Sequence, residues 1–221
     1  MNKKTIFLIA LVSLTFVSCS KQSGNSKPGS EITADQAKVD AAYNAMIESS
    51  FDKKKNVGYE NIIPDEAQKT CSKYKNNPPQ DVVLKMIEDA KKTIVYPANG
   101  KFIGDWKNGE VLANIGKGGH VGYTNPEKPD AKKGGNCYAC HTLDTKEVAA
   151  GTMGISLTNY GKDRKDAQQE TAKFVYERIY NAYAYTPCSS MPRFGLHKWV
   201  TPEEIADMVA YVVDLNSPVN K

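Results

Sequence analysis

One five-residue segment constrains this chain more than any other: Cys137-Tyr138-Ala139-Cys140-His141. Two cysteines two residues apart, followed at once by histidine, form the c-type haem attachment sequence. The thiols can add to the two vinyl groups of one haem, and the adjacent imidazole then lies under the iron as proximal ligand. Two other chemistries use a cysteine pair. A redox dithiol is expected after a strand in a βαβ pattern, and no strand precedes this one. A zinc site needs a second CxxC or a histidine pair to complete four ligands, and the chain supplies neither. The segment therefore predicts one covalently attached haem c, with Cys137 and Cys140 as attachment residues and His141 on the metal.

A sixth ligand must come from the remaining methionines, histidines or thiols. Met191 lies 50 residues after His141, within Ser190-Met191-Pro192-Arg193-Phe194-Gly195 and just ahead of the last helix, where a class I cytochrome c brings a loop methionine to the second haem face. Met153 follows His141 too closely to cross the haem. Met46, Met86 and Met208 recur at helical spacing and read as core. His197, His120 and the thiol of Cys188 are the alternatives to Met191.

Export fits this chemistry. Residues 1–18 carry Lys3 and Lys4, then an apolar run from Thr5 to Val17, then small residues. That run is shorter than the roughly 20 residues of a spanning helix, so it reads as a signal segment. Phe16-Val17-Ser18-Cys19 resembles a lipoprotein cleavage site with Phe where Leu is usual; ordinary cleavage nearby is the alternative. On the first reading Cys19 carries lipid and residues 19–32, rich in Ser, Gly and Lys, form a tether to a membrane. The location implied is the periplasm. Cys71 and Cys188 remain of the five cysteines, and in an oxidising compartment the simplest assignment joins them. Such a bridge would stiffen the segment that carries Met191.

The formal charge of +4 arises from 29 basic and 25 acidic residues scattered along the chain, which gives no footprint for nucleic acid. Lys117, Lys128, Lys132 and Lys133 are interleaved with Glu127 and Asp130 and read as a solvated loop rather than a docking surface. Helical periodicity is expected over about 34–51, after a capping box at Thr33, over 65–74, and from Val82 through Ala90 to a stop near Pro97 and Gly100. Further helices are expected over 110–115, 166–184, and after Thr201-Pro202-Glu203-Glu204, whose N-cap and proline mark a sharp start. Between Gly116 and Gly135 six glycines and two prolines predict a long loop delivering the chain to Cys137. No segment alternates as a strand would. The fold class is all-α: a class I cytochrome c domain over 105–221 behind an N-terminal helical extension over 33–104.

Beyond the haem motif, Gly134-Gly135-Asn136 before it, Gly151-Thr152-Met153-Gly154, Tyr160-Gly161, Arg164, Met191-Pro192-Arg193-Phe194-Gly195 and the tail Ser217-Pro218-Val219-Asn220 resemble SoxX. This is the monohaem cytochrome subunit of the SoxAX sulfur-oxidation complex, and the likeness covers about 105–221. It implies electron transfer beside a SoxA-like cytochrome subunit, which carries out the oxidative coupling of thiosulfate to a cysteine on a SoxYZ-type carrier, with an acceptor cytochrome downstream. The chain itself would hold no catalytic residue for sulfur. The resemblance also puts Arg193 and Tyr160 near the haem propionates, with packing an equal alternative for Tyr160. One departure concerns the residue after Gly154, usually proline and here Ile155; its carbonyl can still accept from His141, but the constraint on φ is gone. The competing readings are a lipid-tethered cytochrome shuttling electrons to another oxidoreductase or an oxidase, and a haem enzyme with an open coordination position.

Overall fold

The computed structural model describes residues 36–52, 62–117 and 132–221. The signal segment, Cys19, the tether, Thr33, His120, Glu127, Lys128 and Asp130 lie outside the described residues. Six α-helices order the rest: α1 (Gln36–Ser50), α2 (Glu66–Lys73), α3 (Gln80–Lys92), α4 (Trp106–Asn114), α5 (Gln168–Tyr180) and α6 (Pro202–Val213). Single 3-10 turns occur at Cys137–Ala139, Lys162–Ala167, Ala182–Ala184 and Pro218–Asn220. No strand occurs among the described residues, and the fold is that of an all-α cytochrome c domain.

The frame of that domain is the crossing of α4 over α6. It is close because Gly109 has no side chain: a Cβ there would lie 1.9 Å from the Asp207 carbonyl oxygen. Asp207 fastens the crossing from the other side, its carboxylate accepting from the Asp105 amide at 2.7 Å and from the Asn108 side chain at 2.6 Å. Helix α6 begins as its sequence predicts. Thr201 accepts from the Glu204 amide, and the Glu204 carboxylate accepts from the Thr201 amide at 2.8 Å. Its apolar stripe of Ile205, Met208, Val209, Val212 and Val213 is buried against Leu112 of α4 and Tyr176 of α5. Fully burying one such aliphatic side chain contributes about 1.5–3 kcal/mol, so this stripe supplies much of the cohesion.

The C-terminal tail closes the structure. Asn220 is buried and donates to the carbonyls of Val212 and Asp214, while its side-chain oxygen accepts from the amides of Gly161 and Lys162. The Ser-Pro-Val-Asn tail thereby ties the end of α6 to the Tyr160 loop.

A smaller core forms where α2 and α3 meet the chain after α5: Cys71, Ala90, Tyr183 and Ala184 are buried there, with Met86 partly so. Cys71 and Cys188 are joined as a disulfide, with Cα atoms 5.5 Å apart. Helix α1 departs from expectation. Met46, read as core, is half exposed, whereas Ile47 is buried and the Tyr43 hydroxyl donates to the Ile62 carbonyl. The apolar residues of α1 do not gather on one face, so spacing that includes both Met46 and Ile47 does not show that only Ile47 turns inward.

Candidate haem site

The attachment segment is a tight turn with Asn136 left-handed in front of it (φ 44°). His141 donates its backbone amide to the Cys137 carbonyl at 2.8 Å, and Cys140 does so at 3.1 Å. The turn brings Cys137 and His141 to one wall of a cavity holding about 670 Å³ of empty space, including its open mouth. Leu143, Leu157, Tyr160, Met208 and Val212 form much of its lining. From α5, Phe174, Val175, Arg178 and Ile179 all reach it. Met191 completes the lining from the chain between α5 and α6. Cys140 sits at the end of the turn, half-buried, and is backed by the close approach of Gly151 to Ala139.

The orientation of His141 is fixed on two sides. Its Nδ1 lies 2.7 Å from the Ile155 carbonyl oxygen, and because a carbonyl only accepts, Nδ1 carries the proton. Nε2 is then the free lone-pair donor. The ring also lies flat against Gly154, where a Cβ would fall 2.3 Å from the ring Cε1. The backbone acceptor expected at Ile155 is thus in place without proline.

Electrostatics separate the rival chemistries. Burial pushes the Cys137 thiol up to about 12, so it is a poor thiolate. A redox dithiol needs the opposite shift. Among the described residues no three His, Cys, Asp or Glu side chains come together as a metal-holding group.

The other candidates fall elsewhere. His197 stacks on Trp199 with ring centroids 5.3 Å apart, in a separate pocket behind Met191 that also holds Arg193. Burial and the nearby Arg193 hold its imidazole below the ordinary histidine range. Met153 is exposed and Cys188 is in the disulfide. Arg193 requires a correction. It does not line the cavity; it is buried at 5 % exposure, its guanidinium 2.7 Å from Asp65 and 4.7 Å over the Tyr183 ring. A buried guanidinium settles where its counter-charge is, and that is the cap of α2. The cation that lines the cavity is Arg178, which donates to Thr186 at 2.7 Å. Tyr160 does line it, with Arg164 stacked 3.8 Å over its ring. Of the lysines, Lys132 donates to Asn108 at 2.6 Å.

Sequence reading missed two supports of the site. Tyr138, inside the motif, has its hydroxyl 2.6 Å from that of Tyr211 on α6. Asp65 was legible only as a helix start, with Gln68 three residues on, and nothing in the sequence pairs it with Arg193.

Residues 130–216 match the family described as "Cytochrome c". The chain carries a cytochrome c domain. Its cofactor is haem c, covalently attached, and the apolar cavity lined by Cys137, an oriented imidazole and a thioether, with Cys140 at the end of the same turn, fits that group. This cytochrome is also 46% identical over 158 residues to an "Uncharacterized lipoprotein" of Aquifex aeolicus (strain VF5), covering 71% of this chain and 73% of the relative. A stretch that long takes in α2 and α3 as well as the attachment turn, so the likeness reaches beyond the cytochrome c match.

Proposed function

We propose that this cytochrome is an electron-transfer subunit of SoxX type, in which Cys137 and Cys140 hold the haem and His141 and Met191 ligate its iron. The single observation that carries the ligand set is the cavity itself, with His141 and Met191 both in its lining and His197 outside it. When bound, haem supplies a one-electron iron couple. The protein residues determine how that couple behaves. Met191 as a soft donor raises the potential, and the apolar lining disfavours the extra charge of the oxidised state. With both axial positions filled by protein, no coordination site is left for substrate, which favours outer-sphere electron transfer over a peroxidase-like activity. No residue of this chain is assigned to sulfur chemistry.

In this reading the chain works beside a SoxA-like subunit, which couples thiosulfate to a SoxYZ-type carrier cysteine, and it is held at a membrane in the periplasm by lipid on Cys19. The MPRFG and tail motifs support the SoxX likeness. The relative's name records a lipoprotein, and membrane tethering fits a second reading as well: a tethered shuttle serving another oxidoreductase or an oxidase. Affinity purification from membranes of cells grown on thiosulfate, followed by haem staining, decides between them. A second haem-bearing subunit that co-purifies only under those conditions supports the SoxX reading. Recovery of this chain without a haem-bearing companion supports the shuttle.

A further inference from the structure

The segment that carries Met191 makes few bonds of its own. The Met191 amide donates to Ser189 Oγ at 3.1 Å, and the Ser189 amide to the Thr186 carbonyl at 3.2 Å, so both bonds stay within the loop. Its flanks are tied to α5, where Arg178 donates to Thr186 and the Gly195 and Leu196 amides donate to the Tyr180 carbonyl, but the two ties nearest Met191 run to one small body. Three residues before Met191, Cys188 is bridged to Cys71 of α2. Two residues after it, Arg193 pairs at 2.7 Å with Asp65, the N-cap of the same helix. Asp65 and Cys71 are six residues apart, about 9 Å along a helix, so α2 spans the loop as a splint fixed at both ends.

Helix α2 is well made for this and for little else. A reciprocal capping box closes its first turn, with Asp65 accepting from the Gln68 amide at 2.8 Å and the Gln68 side chain accepting from the Asp65 amide at 3.0 Å. Its one buried residue is Cys71. The Arg193 guanidinium is deeply buried and lies against Tyr183 of the smaller core, so the charge of Asp65 holds it in place.

We infer that α2 is an external clamp on the Met191 segment, and that Asp65 is a positioning residue that, together with the Cys71–Cys188 bridge, sets how readily Met191 leaves the iron. The inference rests on the reading of Met191 as axial ligand. Asp65 acts only through Arg193 and the loop.

Exogenous imidazole competes with an axial methionine, so its affinity for the oxidised holoprotein reports how easily Met191 is displaced. Asp65→Asn removes the charge and keeps a good helix cap. It is expected to tighten imidazole binding at least tenfold, with Asp65→Glu restoring most of the wild-type value. Glu66→Gln, next along α2 and paired instead with Lys69, is expected to stay within twofold of wild type. The Cys71→Ser/Cys188→Ser double variant leaves Asp65 in place and is expected to tighten imidazole binding as well, which keeps the claim testable if Asp65→Asn yields no holoprotein. Wild-type imidazole affinity in both Asp65→Asn and the cysteine double variant, even with lowered melting temperatures, overturns the clamp. Met191→Ala separates the two levels: a methionine-to-iron charge-transfer band that survives in it overturns the ligand reading instead.

Discussion

The hydroxyls of Tyr138 and Tyr211 lie 2.6 Å apart, one from the turn that holds the attachment cysteines and the other from the last turn of α6. Tyr211 is fully buried, and burial, followed by the bond to Tyr138, holds its phenol well above the usual tyrosine range. Tyr138 is raised too, chiefly by burial. The pair therefore joins two neutral hydroxyls and ties the attachment turn to the helix crossing that frames the fold.

Removing one partner leaves the other buried without its bond. Tyr138→Phe is expected to cost about 1–3 kcal/mol, and Tyr138→Phe/Tyr211→Phe no more than the single change, because the double variant leaves nothing unsatisfied. Thermal unfolding of the holoprotein reads both, and an additive double variant would contradict the pairing.

Gly154 supports the His141 ring at contact distance. Gly154→Ala puts a methyl 2.3 Å from the ring and must displace either the ring or the loop, an overpacking cost of about 1–3 kcal/mol. The ratio of haem stain to total protein after export is expected to fall, with altered axial-ligand spectra in whatever holoprotein remains. A normal ratio and unchanged spectra would mean the loop yields freely.

Glu177 is buried on α5, accepting from Tyr96 at 2.7 Å and from Tyr185, with Lys173 3.9 Å away. Burial first, and the bond to Glu177 second, push the Tyr96 phenol up to about 12. The folded state thus binds more protons than the unfolded chain above the ordinary tyrosine value of about 10. Its contribution is fully present below about pH 10 and is lost as pH rises through about 12. Melting temperature followed over that window is expected to fall less steeply in Tyr96→Phe than in wild type; parallel curves would contradict the assignment.

Much of the fold was legible because its signals are local. The start of α6 at Thr201-Pro202 depends on spacing within one helix and stands as read, and the buried stripe of α6 and the cavity-facing residues of α5 follow the same local spacing. What was missed depends on partners far apart in sequence. Helix α4 starts at Trp106 behind the Asp105 cap rather than near Glu110, because Gly109 reads as a breaker until α6 is seen lying on it. The helix expected over 166–184 ends at Tyr180, because Asn181 goes extended (φ −149°, ψ 100°) and its side chain caps the next turn at Tyr183. Arg193 was misplaced for the same reason: a cation beside an axial-ligand candidate suggests a propionate, until Asp65 is found 2.7 Å from it.

Gly109 also gives a test of the helix crossing. Gly109→Ala sets a methyl 1.9 Å from backbone that cannot rotate away, so α4 and α6 must separate. A loss of about 1–3 kcal/mol is expected from chemical denaturation. A variant as stable as wild type would show that the crossing is looser than this geometry.

The central claim is that one haem is held between His141 and Met191. Near-infrared magnetic circular dichroism of the oxidised wild-type protein at neutral pH reads the axial pair directly. A low-spin histidine–methionine signature, lost in Met191→Ala, is the predicted result. A bis-histidine, thiolate or high-spin signature in the wild-type protein would contradict it.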